Sequence, residues 1–363
     1  MRFSLSLLAF AAPLASAQLH ALAKKAGLQY FGTASDIVSV AALDKTYAKI
    51  ISDKREFGQL TPANGQKWFA IEPQENLFNF SYGDVTSKYA KKNKQLLRCH
   101  NLVWHSQLAD WVLQKTWTKK TLTAALINHV TNEAKHWKGQ CYHWDVVNEA
   151  LEDDGSFRNT TFLHVIGPEY IAIAFKAAHA ADPHAKLYYN DYNLERPNAK
   201  VDAVINKIVK PLQRQRIPIH GVGMQAHLTA SRAPTIDQTI DVMKNFTNLG
   251  VECALTELDV RVTDPATPEN MAQQKVAFAA ATGACVQVKG CVGVTVWDFW
   301  DPVSWIPGVF AGQGSGTLFF PNFTRHPAYD GVADALKNGT RKGWSVPHYD
   351  GDDEEEQEDE DED

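Results

Sequence analysis

Two glutamates stand out in this 363-residue chain for where they fall. One ends the run Trp144-Asp145-Val146-Val147-Asn148-Glu149, and the other sits in Leu255-Thr256-Glu257-Leu258-Asp259. Each follows a β-rich apolar stretch. His100, Trp104, His105 and Gln107 follow a third such stretch, Gln225 and His227 close a fourth, and Trp297 closes a fifth with Trp305 in the next loop. Two carboxylates amid imidazole, amide and indole suit the cleavage of a glycosidic bond. That reaction needs an acid at the leaving oxygen and a carboxylate at the sugar carbon. Indoles present flat faces to the apolar faces of sugar rings. Amides and imidazoles satisfy hydroxyls that would otherwise be buried unpaired. A lone strand-end glutamate is usually a surface or salt-bridge residue. Two of them, both beside polar-aromatic motifs, reverse that reading. No paired C-x-x-C and no H-E-x-x-H occurs, so neither a metal nor a cofactor is expected.

Such groups need a scaffold that brings strand ends together. Eight β-rich runs are legible: Leu28–Thr33, Phe57–Thr61, Leu96–Val103, Cys141–Val147, Lys186–Asn190, Gly221–Ala226, Val251–Leu258 and Cys291–Trp297. Helical patterns separate them, over Ala41–Ser52, Tyr82–Asn93, Lys119–Trp137, Tyr170–Ala181, Val201–Gln215, Ile236–Leu249 and Glu269–Ala284. Alternation of this kind predicts parallel strands joined by crossover helices, and eight strands predict one closed (β/α)8 barrel. An open doubly wound sheet would carry a glycine-rich phosphate turn after its first strand. Here that strand runs into Gly32-Thr33-Ala34-Ser35-Asp36. In a barrel the reactive groups sit at the C-terminal strand ends, where both glutamates fall.

The runs from Arg98 to Gln107, from Trp144 to Glu149, from Tyr189 to Asn193, from Gly221 to His227 and from Thr256 to Asp259 resemble, in that order, the motifs of family 10 glycoside hydrolases. The resemblance extends from about Leu19 to Tyr329. It implies a retaining endo-1,4-β-xylanase that cuts internal bonds of xylan by double displacement. Glu149 would be the general acid/base and Glu257 the nucleophile. Asn148 would bind the 2-hydroxyl of the attacked sugar. His227 and Asp259 would hold Glu257 ionised, with Gln225 supporting the same centre. Asn64, Lys67, His100, Trp104 and Gln107 would grip sugars on the non-reducing side. Trp297 and Trp305 would wall the site, and Tyr192 with Asn193 would meet the leaving-side sugars. An acid needs a raised pKa and a nucleophile needs donors, which fits this division.

The sequence departs from the family pattern on the non-reducing side. Ala63 stands where the family has a glutamate, Ile306 where it has an arginine, and Asp298 and Phe299 where it has small residues. Cys99 replaces a glycine. A lost charged hydrogen bond is worth roughly 1.5–3 kcal/mol. Restoring the carboxylate by Ala63→Glu is therefore expected to strengthen xylan binding. The departures leave a saponin- or glycoalkaloid-cleaving glycosidase of the same family as the alternative, with a non-catalytic sugar-binding barrel a distant third.

Arg2, the apolar run Phe3–Leu14 and Ala15-Ser16-Ala17 read as a secretory signal over residues 1–17, leaving Gln18 first in the mature chain. Residues 18–345 form the predicted catalytic domain and 346–363 a disordered acidic tail. Twelve of the last fourteen residues are acidic, and setting them aside moves the formal charge from −6 to +6. An excess that small does not suggest a nucleic-acid binder. No apolar run is long enough to cross a membrane. The protein is expected to be secreted and monomeric, acting on xylan or another β-linked plant glycoside. Cys285 and Cys291, six apart, are predicted to form a disulfide, and Cys99, Cys141 and Cys253 to be buried free thiols. Asn79, Asn159, Asn245, Asn322 and Asn338 head sequons and are candidate glycosylation sites. The Phe78-Asn79-Phe80 context also allows a buried turn.

Overall fold

The computed structural model describes residues 18–37, 39–40, 42 and 44–339. The predicted signal segment and the acidic tail lie outside them. Eight parallel strands close on themselves: β1 (Tyr30–Ser35), β2 (Gln59–Pro62), β3 (Leu96–Val103), β4 (Cys141–Asn148), β5 (Lys186–Asp191), β6 (Gly221–Met224), β7 (Glu252–Thr263) and β8 (Cys291–Val296). Each pairs with the next, and β8 returns to β1 with Tyr30 opposite Gly293. The (β/α)8 barrel expected from the alternation is therefore present. All eight runs were legible, with ends displaced by a few residues; β7 runs on to Thr263, where Gln313–Gly314 adds a short antiparallel pairing.

Local chemistry sets the helix starts. Thr118, Thr235 and Thr267 each cap a helix with the hydroxyl accepting a backbone N–H, and each forms a capping box with the residue three ahead. Pro268 then occupies the first turn of Pro268–Gln287, where a missing N–H costs nothing. The predicted helix over Val201–Gln215 is present, but it widens between Val204 and Val209, just before Pro211. An eighth helix, Pro327–Asn338, was not anticipated. It packs against the short helix Leu19–Lys25. Both attach to the segment before β2: His20 donates its N–H to the Glu56 carbonyl at 3.0 Å, and Tyr329 donates its hydroxyl to Glu56 Oε2 at 3.0 Å.

Inward-facing residues fill the barrel. Large side chains sit opposite glycines: a Cβ on Gly221 would collide with the Tyr188 ring, and one on Gly293 with the Tyr30 ring. Arg98 lies over Tyr188 at 4.6 Å and makes a buried two-pronged contact with Asp145, with bonds of 3.1 and 2.5 Å. Asp145 also meets His100 Nδ1 at 3.0 Å. This layer is the floor on which the rim rests.

Cys285 and Cys291 are bonded, as predicted. The expectation for the other three cysteines is corrected in part. Cys99 and Cys141 form a second disulfide, with Cα atoms 5.6 Å apart, and only Cys253 is free and buried. The physical reason is strand adjacency. β3 and β4 are neighbours, with Leu97 opposite Cys141 and Cys99 two residues further along β3, and the two cysteine Cα atoms lie within disulfide range. All five sequon asparagines are exposed, Asn79 included, which removes the buried-turn alternative there. No described helix is long and apolar enough to cross a membrane.

Candidate active site

The C-terminal rim of the barrel holds a cleft of about 650 Å³. Every residue predicted to act or to touch sugar lines it except Asp259, which stands behind His227. Register shifts in β3, β4 and β7 near this rim turn successive side chains toward it. Five non-glycine residues at the rim adopt the left-handed backbone region: Gln107, Glu149, Asn193, Ala226 and Asp298. Such conformations cost energy, and their gathering around one cleft marks a functional surface.

Glu257 lies deep in the cleft. Its Oε1 accepts from Asn190 Nδ2 at 2.8 Å and its Oε2 from His227 Nε2 at 3.1 Å. His227 Nδ1 donates in turn to Asp259 Oδ2 at 2.8 Å, and Trp305 Nε1 donates to the same oxygen at 2.7 Å. Burial alone would push the histidine down, but the Asp259 charge and its hydrogen bond, then Glu257, raise it to about 10. The ring is therefore an imidazolium that donates from both nitrogens. Burial pushes Glu257 up. The His227 hydrogen bond, the nearby His100 and His227 charges and the Asn190 bond outweigh it and hold the carboxyl at about 2.

Glu149 is held by neutral donors. Trp104 Nε1 donates to its Oε2 at 2.8 Å and Gln225 Nε2 to its Oε1 at 3.0 Å. Trp104 was expected to face sugar, and here it also orients this carboxylate. The two glutamates share a polar bridge. Asn148 Oδ1 accepts from both Gln225 at 3.2 Å and Asn190 at 2.9 Å. Asn190 thus touches Glu257 and Asn148 directly, while Thr256 Oγ1 donates to its Oδ1 at 2.6 Å. Asn190 lies within the Tyr189–Asn193 motif, whose spacing alone assigns it no role. The available signal was strand periodicity, which turns Tyr188 and Asn190 inward together, so that a polar side chain faces inward next to the rim.

A second cluster lies beside this pair. Lys67 Nζ donates to Asn64 Oδ1 at 3.0 Å and to Gln107 Oε1 at 2.6 Å, and sits 4.9 Å above the Trp104 ring. Burial brings its amine down to about 8, against the pull of Glu257, Asp36 and Glu149. Asp36, which sequence reasoning missed, fixes Asn64 by accepting from its backbone N–H at 3.0 Å and its amide at 2.5 Å. Ala63 packs with Ala34 and Trp297 against Trp305. Asp298 lines the same wall, and burial, with the Asp36 and Asp259 charges, pushes its carboxyl well above the usual range. Ile306 is fully buried and does not line the cleft. On the opposite side, Tyr192 accepts from Arg158 Nη2 at 2.6 Å and lies 3.4 Å beneath Lys200 Nζ, while Asn193 donates to Asp153. His100 faces the Trp297 ring edge-on at 5.4 Å.

Residues 18–335 match the model of glycosyl hydrolase family 10. The chain belongs to that family. Among curated relatives, endo-1,4-beta-xylanase A of Humicola insolens is 54% identical over 330 residues, which are 89% of this chain and 88% of the relative. Endo-1,4-beta-xylanase D of Talaromyces funiculosus is 47% identical, over 92% of this chain and 81% of its own. The solved GH10 xylanase from Bispora sp. MEY-1 with xylobiose superposes with a TM-score of 0.85 at 43% identity, covering 87% of this chain and 99% of that one. Penicillium canescens endo-1,4-beta-xylanase XylE gives 0.86 at 40%, over 89% and 98%.

Proposed function

We propose that this family 10 glycosyl hydrolase is a secreted, monomeric, retaining endo-1,4-β-xylanase. The carrying observation is the asymmetric pair of carboxylates bridged through Gln225, Asn148 and Asn190, one bound by an imidazolium and the other by neutral donors. The relatives described above are named xylanases, which favours xylan over a glycoalkaloid. Intact support around both carboxylates weighs against a binding-only barrel.

In this reading an oxygen of Glu257 attacks the anomeric carbon as the glycosidic carbon–oxygen bond breaks, and Glu149 gives its proton to the departing oxygen. The sugar is then esterified to Glu257. Glu149, now a carboxylate, takes a proton from water as that water attacks the same carbon, which frees Glu257. The imidazolium keeps Glu257 unprotonated for the first step. Indoles of Trp297 and Trp305 wall the attacked sugar, and Asn148 receives its 2-hydroxyl. Residues 1–17 would direct export, residues 18–345 would be the catalytic unit, and the exposed sequons would accept glycans.

The test is a product profile on xylan, cellulose and a glycoalkaloid, with the anomeric form of the first product followed by NMR. Xylo-oligosaccharides released with retained configuration are expected. Glycoalkaloid cleavage without action on xylan would overturn the substrate, and initial release of the inverted anomer would overturn the mechanism.

A further inference from the structure

Beside the cleft lies a second hollow of about 400 Å³. It begins where Asn193, His227 and Arg261 leave the cleft, and it shares no residue with the Asn64–Lys67–Gln107 cluster. Arg196, Arg232 and Arg261 line it. Among the described residues none of these three pairs with a carboxylate. Arg196 bonds only to the backbone carbonyl of Arg232. Arg261 rests over the Phe310 ring at 4.1 Å and reaches the carbonyls of His227 and Leu228 at 3.5 and 3.4 Å, while its buried Nε–H has no partner.

The acids of the hollow are already occupied. Asp153 meets Lys200 Nζ at 3.4 Å and accepts from Asn193. Glu195 is buried and accepts the Ala226 N–H at 2.8 Å. The hollow therefore offers unpaired guanidinium groups. Guanidinium forks match carboxylates by paired N–H donors.

We infer that this hollow binds the carboxylate of a uronic acid branch carried by the sugar chain in the cleft, and so selects acid-branched xylan. The inference rests on the proposed xylanase reading. Arg261 would anchor the carboxylate from the cleft edge, and Arg196 and Arg232 would close on it from the exposed side.

The test compares kcat/KM on three oligosaccharides of equal backbone length. One is unbranched, one carries a single glucuronate branch, and one carries that branch with its carboxyl reduced to an alcohol. The wild-type chain should favour the acidic branch over the reduced one by about tenfold, the scale of two partly exposed ion pairs. R196Q/R232Q, which keeps the Arg261 anchor, should cut that ratio by roughly threefold, and ~1 M salt should bring it toward one in wild type. An acid-to-alcohol ratio near one in wild type would overturn the inference, as would a ratio unchanged in the variant. Hydrolysis of the unbranched oligosaccharide reads the xylanase assignment separately, since it needs neither Arg196 nor Arg232. Its absence would sink that assignment and not the charge reading alone.

Discussion

Glu149 and Glu257 share one cleft and a common bridge of amides, yet they are held by different chemistry. Glu257 faces an imidazolium whose own charge is fixed by Asp259, three groups in line from Asp259 through His227 to Glu257. Glu149 faces an indole and an amide, which orient it without supplying charge. The lesson is that identical side chains take their roles from donors placed one residue behind them. A charged donor holds a carboxylate in the ionised form, whereas neutral donors fix its orientation without that electrostatic pull.

The sharpest break in this comparison is Glu257→Ala. Turnover on every glycoside should fall by about 10⁴-fold or more, as for the loss of other covalent nucleophiles. Comparable xylan hydrolysis in this variant would move the nucleophile elsewhere. Glu149→Ala should cost about 10²–10⁴-fold on xylan, the range for lost acid–base help. It should cost little in the first step on substrates with an activated phenol. Azide should restore breakdown of the glycosyl-enzyme, because it attacks without a base. Stopped-flow release of phenol with and without azide separates the two steps.

Asp259→Asn tests the relay. Removing its charge lowers His227, and a less cationic His227 lets Glu257 rise from about 2 toward its ordinary 4.5. The acidic limb of kcat/KM, measured on a phenyl glycoside, should therefore move to higher pH. Stability should change with a matching sign. The depressed Glu257 contributes fully above about 4.5, and its share is lost as pH falls toward 2. The raised His227 contributes fully below about 6.5, and its share is lost as pH climbs through 10. The variant should lose most stability between those limits, and thermal melts from pH 4 to 10 would read it. An unmoved acidic limb would show that Asn190 alone sustains Glu257.

The smallest effect is expected on the acidic wall. Ala63→Glu would set a third carboxylate near Asp36 and Asp298 in a packed apolar corner. Alone it should gain little or lose activity. Combined with Asp298→Gly, at a backbone φ of 59° that glycine accepts readily, it should improve efficiency on short xylo-oligosaccharides by about tenfold. Kinetics of the single and double variants decide between these outcomes. A full gain from Ala63→Glu alone would mean that crowding by the two aspartates is unimportant.

Much of this was legible in the chain because strand runs and their terminal motifs are local. The eight strands, both glutamates and the His227–Asp259 relay each follow from short stretches. What escaped depends on neighbours set by the closed barrel. Cys99 and Cys141 look like ordinary core thiols until β3 and β4 lie side by side. Asp36 gains its purpose only when β1 lies beside β2 and its carboxylate meets Asn64. Asn190 joins groups from β4 and β7, which no spacing along the chain reveals.

The helices Leu19–Lys25 and Pro327–Asn338 pack against each other, both tied to Glu56 ahead of β2. Gln18 lies near the lead-in to β2 and Gly339 near the lead-in to β8, both on the N-terminal side of the strands, while substrate enters at the C-terminal rim. A tether to a solid support, or a fused partner at either position, would leave the mouth of the cleft open to a long polymer.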